Sequence, residues 1–282
     1  MIGGRARWRR VSARELDAVV ARLIEWPAPH GGAVRHIFPL AALESGGPEL
    51  VRVAGGPTDA AFAAVVLIEG HVVAPCGDPA TIRRAGSPVR RWRLLVGDRA
   101  AGDALLAVTD GLERAVVLDQ RSLVVDPDRV PDASERPDPG LRRAEPADLE
   151  ALARLAVRLH VDDRFGPDPG AAGLLGYRAR IADAARRGLA WCVGPIGAPV
   201  AKLERSVSSA RLGVQLAGIV VDPDHRGRGL GAGMVAAAVR GARAEGAPAI
   251  TLHVRDDNAP ALGAYAAAGF VSGEPWRLAL RP

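Results

Sequence analysis

Residues 218–231 read GIVVDPDHRGRGLG. Ile219, Val220 and Val221 read as the end of a strand, and Asp222-Pro223 breaks it, because proline has no amide hydrogen to give to a ladder. Glycines follow at 227, 229 and 231, then an alanine-rich stretch that predicts a helix over 228–245. Glycine allows a tight turn and lets a ligand come close to the backbone. The first amides of a helix lack internal partners, and its dipole is positive there. Strand, glycine turn and helix together predict an anion site that suits a pyrophosphate, with Arg226 and Arg228 adding charge. A glycine turn before a surface helix gives the same letters, so the segment alone leaves both readings open. The dinucleotide fingerprint is a third reading, since Gly227-x-Gly229-x-x-Ala232 nearly fits it. Too little chain follows for a doubly wound domain.

Working outward, residues 249–254 predict a strand, and residues 258–270 read NAPALGAYAAAGF. Asn258 suits a helix N-cap, Pro260 a first turn, and Gly269 the position just beyond the end. Asn258 and Tyr265 are two helical turns apart and share a face. Further strands are expected near Phe270 and over 277–280. Upstream, a short strand over 141–144 leads to a helix capped by Asp148 and running to His160. A second helix over 171–187 ends at Gly188, and strands over 189–193, 199–207 and 211–221 follow.

The Arg226-x-x-Gly229-x-Gly231 loop resembles the acyl-CoA-binding motif of the GCN5-related N-acetyltransferases (GNAT). Asn258, Ala261, Tyr265 and Gly269-Phe270 are similar to that family's second signature, in the right order and with a strand between the two. The resemblance covers about residues 139–275. It implies a GNAT fold, an α/β (α+β) architecture with a mixed, splayed central sheet flanked by helices. It implies acetyl-CoA as co-substrate, no metal, and direct attack by an amine, either on a small molecule or at a protein N-terminus or lysine. The backbone of Ile219, Val220 and Val221 would pair with the pantetheine arm. The amides of Gly227, Arg228, Gly229, Leu230, Gly231 and Ala232 would hold the pyrophosphate, and Asn258 would bond to the arm. Tyr265 would stand near the thioester sulfur, where a phenol stays protonated at neutral pH and can protonate the departing thiolate as general acid.

The chain departs from the family at Gln215, where many relatives carry a glutamate that deprotonates the amine. A carboxamide does not titrate, so Gln215 is expected to orient a water or the acetyl carbonyl. Glu204 on the preceding strand and His253 on the following one are the candidate substitute bases. The departure keeps a second function in view, a catalytically silent acyl-CoA sensor or regulatory protein.

Residues 126–139, DPDRVPDASERPDP, carry four prolines among acidic residues and read as an interdomain linker. The expected organisation is thus an N-terminal α/β domain over 1–125, the linker, and the acetyltransferase domain over 140–282. In the N-terminal half, strands are predicted over 61–68, 71–74, 92–96, 116–118 and 123–125, with helices over 80–85 and 100–112. This half has no Arg-x-x-Gly-x-Gly loop. Its nearest counterpart, Val96-Gly97-Asp98-Arg99, places an acid where a pyrophosphate would sit. It more faintly resembles, over Pro75 to Leu106, an uncharacterised domain found ahead of bacterial acetyltransferase domains. A degenerate, non-catalytic acetyltransferase-like domain is expected, one that walls the substrate cleft or forms a homodimer.

The chain has 282 residues, a net charge of +5 and two cysteines, Cys76 and Cys192. Two isolated cysteines make neither a disulfide framework nor a metal site and fit a reducing, cytoplasmic setting. No run of apolar residues is long enough to span a membrane, and no secretory signal follows the basic N-terminus. The isoelectric point near 10.1 suggests nucleic acid. Nearly all the basic charge is arginine, scattered among acids, and Lys202 is the only lysine, which argues against that reading.

Overall fold

The computed structural model describes residues 7–55 and 63–281. The start of the strand expected over 61–68, at Ala61 and Phe62, lies outside the described residues. The chain divides into two compact units, Met1–Ser122 with Gly273–Pro282, and Leu123–Ser272.

The first unit contains strands β1 (Arg9–Arg10), β2 (Val51–Ala54), β3 (Ala64–Glu69), β4 (Val72–Gly77), β5 (Leu94–Asp98) and most of β6 (Val116–Val125), with helices α1 (Ala13–Ile24), α2 (Gly32–Arg35), α3 (Ile37–Ser45), α4 (Pro79–Ala85) and α5 (Arg99–Leu106). Strands β1 to β4 pair antiparallel in chain order, and β4 and β5 run parallel. The alternation of apolar runs and turns does not predict α1–α3. Helix α1 is held by a Ser12–Glu15 capping box and buries Val19 and Leu23. Both acids at helix starts in this unit satisfy their own helices. Asp78 accepts from the amides of Ala80 and Thr81, and Asp98 from that of Ala101. A core of Val66, Ile82, Trp92, Leu95 and Leu105 lies between the sheet and helices α4 and α5.

The second unit contains β7 (Arg142–Arg143), α6 (Leu149–Asp162), α7 (Gly170–Arg186), β8 (Ala190–Val193), β9 (Ala201–Ser209), β10 (Gly213–Val221), α8 (Leu230–Ala244), β11 (Ile250–Arg255), α9 (Ala259–Ala266) and the start of β12 (Phe270–Leu280). Strands β7 to β10 pair antiparallel in chain order, and β10 and β11 run parallel. The result is the expected mixed sheet. Leu203, Val214, Leu216 and Leu252 pack with Met234, Val235 and Val239 of α8 on one face. Cys192 and Val220 pack with Leu152, Leu155 and Ile181 of α6 and α7 on the other.

The domain boundaries differ from those expected. Residues 126–139 belong to the second unit, because α8 holds them. Arg240 donates to the carbonyls of Pro131 (3.1 Å) and Arg136 (3.0 Å), and Arg243 to that of Pro127 (3.1 Å). Gly233 of α8 makes room, since a Cβ there would lie 3.3 Å from the Pro137 carbonyl oxygen. The last residues belong to the first unit, because Trp276 to Leu280 of β12 pair antiparallel with Asp98 to Leu94 of β5. β6 and β12 are each one strand where the sequence suggested two short ones.

Candidate functional site

The end of β10 is shaped by its pairing. Its parallel ladder with β11 covers only Val214–Leu216 against Ile250–Leu252. On its other edge, Ala217 faces Glu204 and Val220 faces Lys202, so Gly218 and Ile219 stand against Leu203 alone. This is a β-bulge, and Gly218 takes the left-handed φ of +59° that it needs. The backbone of Ile219, Val220 and Val221 is therefore left outside the β11 ladder, as the resemblance implies.

Beyond β10, the turn Pro223–His225 leads to Gly227 (φ +76°) and Gly229 (φ +75°). A Cβ at either glycine would meet open space, so backbone conformation rather than crowding demands glycine. Gly229 is the N-cap of α8 and has no side chain to cap it. The first helical bond runs from Gly233 N to Gly229 O, at 2.9 Å. The amides of Leu230, Gly231 and Ala232 thus lack a side-chain cap, unlike those at the starts of α4 and α5.

The two arginines differ. Arg226 donates to the Val221 carbonyl (2.9 Å) and to Asp162 of α6 (2.7 Å), which Arg158 also engages (2.9 Å). Its guanidinium thereby ties the loop to α6. Arg228 is exposed and lines a cavity of about 420 Å³ with His225, Leu230, Arg136, Pro137 and Asp138. The segment expected to be a linker is thus one wall of the cavity beside the glycine loop.

Asn258 caps α9, its Oδ1 accepting from Ala261 N at 3.2 Å. Tyr265 is 7% exposed, with its ring 6.1 Å from that of Phe270. Burial, with a smaller effect from the Asp163 charge, raises its phenol well above the ordinary value. Gly269 follows α9 with φ +93°.

Gln215 and His253 come together, and Glu204 lies apart in an ion cluster. Ser206 Oγ donates to Gln215 Oε1 (2.9 Å), and Gln215 Nε2 stands 3.3 Å from His253 Nδ1. With Nδ1 accepting from the carboxamide, the imidazole proton sits on Nε2. Burial lowers His253 to about 3, so it is neutral at pH 7 and a poor proton acceptor. Glu204 binds Arg180 of α7 and accepts from Lys202 Nζ at 2.5 Å. Burial alone would raise its carboxyl, but Lys202 and Arg180 outweigh burial and hold it below the usual range. The geometry therefore counts against both substitute bases. The sequence did not single out Arg180, Ser206 or Asp162, because each meets its partner across elements rather than along the chain.

No group of three or more His, Cys, Asp or Glu residues able to hold a metal occurs among the described residues, and no helix there is long and apolar enough to cross a membrane.

Residues 158–270 match the model of the acetyltransferase (GNAT) family. The chain is 32% identical to the mycothiol acetyltransferase of Clavibacter michiganensis, over 79% of this chain and 77% of that one. It also resembles the crystal structure of a GCN5-related N-acetyltransferase from Sphaerobacter thermophilus, with TM-score 0.61 and 14% identity, covering 100% of this chain and 96% of that one. A tandem GNAT protein from the clavulanic acid biosynthesis pathway gives TM-score 0.53 and 14% identity, covering 98% of each. The likeness in fold thus extends over the N-terminal unit as well.

Proposed function

Because the chain belongs to the GNAT family of acetyltransferases, we propose that it moves an acetyl group from acetyl-CoA to an amine by direct attack. One observation carries the reading: the uncapped start of α8 follows a β10 end that has left its ladder. The amides of residues 227–232 hold the pyrophosphate, and Ile219, Val220 and Val221 take the pantetheine arm as an added strand. Attack by the amine lone pair on the thioester carbon gives an oxyanion, and its collapse breaks the C–S bond and expels CoA thiolate. Tyr265 donates a hydrogen bond to that sulfur. Gln215 orients a water that takes the proton leaving the amine nitrogen. The first unit binds no acyl-CoA, since Asp98 caps the Ala101 amide in the first turn of α5 and Arg35 pairs with it at 2.7 Å.

The relative's name makes mycothiol lacking its acetyl group the first acceptor to test, ahead of other small amines and of protein N-termini and lysines. The test is release of CoA thiol from acetyl-CoA with each acceptor, beside thermal melting with CoA. Ligand at about 100 times its dissociation constant adds roughly 2.7 kcal/mol. No melting shift at millimolar CoA would remove the reading. A shift without turnover on any amine would favour the silent acyl-CoA sensor, which the unpromising basicity of Gln215, Glu204 and His253 keeps in contention.

Calorimetry should give one CoA site per chain, and two sites would refute the assignment of the first unit. Arg228→Ala should weaken CoA binding roughly two- to fivefold, the worth of an exposed charge pair. Arg226→Ala should weaken it less and lower the melting temperature more, because Arg226 ties the loop to α6. The reverse order in calorimetry would show that the roles of the two arginines are exchanged.

A further inference from the structure

Lys202, the only lysine in the chain, is 1% exposed, on the sheet face packed against α6 and α7. Lysine is almost never fully buried unless it is paired. Its Nζ donates to Glu204 Oε1 (2.5 Å) and to the Gly218 carbonyl (2.9 Å). Removing two charges from water costs so much that an apolar pair of similar volume often serves stability as well or better. What an apolar side chain cannot supply is a donor for the carbonyl of Gly218, which lies in the bulge.

The surroundings are built around this contact. A Cβ on Gly218 would lie 2.9 Å from Lys202 Nζ and 3.1 Å from Glu204 Oε1, so the ion pair fills the space that a side chain would need. Arg180 binds the other carboxylate oxygen, which fixes Glu204 from α7. Gly218 directly precedes Ile219, Val220 and Val221.

We propose that Lys202 is a positioning residue for the acyl donor: its ammonium, steadied by Glu204 and Arg180, holds the bulge at Gly218 and so keeps residues 219–221 turned out to receive the pantetheine arm. This rests on the assignment of acetyl-CoA to the β10–α8 cleft. Lys202 touches neither reactant. Without it the part-buried Gly218 carbonyl loses this charged donor, and the strand gains by closing towards an ordinary ladder.

A single lysine makes the test direct. Protein grown on lysine carrying carbon-13 at its ε position gives one ε-methylene resonance, and saturating CoA should move it. The variant Lys202→Met with Glu204→Gln removes the charge without stranding a carboxylate. It should raise the CoA dissociation constant and the KM for acetyl-CoA about tenfold or more, the worth of a hydrogen bond to a charged group, with the KM for the amine within about threefold. A purely structural lysine would change both KM values together. If wild-type protein binds CoA by calorimetry while the resonance stays in place, or the folded double variant binds CoA as wild type does, the positioning role is overturned and the assignment of the cleft stands. If wild-type protein binds no CoA, both fall. Should the variant fail to fold, the wild-type resonance decides.

Discussion

Tyr265→Phe should lower turnover with acetyl-CoA by about a hundredfold, the lower end of what losing a general acid costs, while CoA affinity stays within about threefold. The lower end follows from the phenol's surroundings. A thiol has a pKa near 8.5, so CoA leaves as a tolerable anion and needs modest help. Burial and the Asp163 charge push the Tyr265 phenol above its usual value, which makes complete proton transfer to the thiolate uphill. Tyr265 is thus expected to stabilise the sulfur by hydrogen bonding as charge develops, with the proton finally arriving from solvent. The pH–rate profile carries the sign. The donor form of a phenol whose pKa is raised persists above pH 10, so Tyr265 should add no basic limb below that pH. Single-turnover kinetics at saturating acetyl-CoA, for wild type and Tyr265→Phe, measure the chemical step. An unchanged rate would remove Tyr265 from the mechanism and favour a site that works by positioning its two reactants.

The local structure of the glycine loop and of the Asn258–Phe270 segment was legible because it is set by consecutive letters: a strand, a breaker, glycines where φ is positive, and a cap at each end of a short helix. The basicity of His253 and Glu204 was not legible, because it depends on burial for the first, and for the second on burial set against the charges of Lys202 on its own strand and Arg180 of α7. Helix α1 carried a readable signal, a Ser12–Glu15 box followed by Val19 and Leu23 at a four-residue spacing, that alternation of strands and turns overlooks. The proline-rich segment over 126–139 misled for a physical reason. Prolines exclude helix and inner strand, but they leave carbonyls free, and Arg240 and Arg243 use those carbonyls to hold the segment to α8. A composition that reads as a linker can also be a wall fastened from outside.

Asp148 shows the same limit at one residue and gives the largest expected loss of stability. Its position suggested an N-cap for α6, yet its carboxylate makes no cap bond to that helix. It accepts from both Nη atoms of Arg142 (2.7 and 2.9 Å) and from the amides of Glu145 (2.8 Å) and Gly197 (2.9 Å), with its side chain fully buried. It thereby joins β7, the turn before α6 and the loop between β8 and β9. Asp148→Asn keeps the shape, but it removes the charge and turns an NH₂ towards groups that only donate. Breaking a buried pair costs about 3–5 kcal/mol, and the partial exposure of Arg142 places this change near the lower figure. The double variant with Arg142→Met should lose less than the sum of the two single losses. The dependence on pH has a definite direction. The Arg142 fork holds the Asp148 carboxyl well below the usual range, against burial, which acts the other way. The contribution is therefore complete above the ordinary aspartate pKa of about 3.9 and disappears as pH falls below it. Urea unfolding of wild type and Asp148→Asn should differ by the full amount at pH 7 and converge progressively below about pH 4. Equal midpoints at pH 7, or a gap that persists undiminished in acid, would mean that the fork does not hold the second unit together in this way.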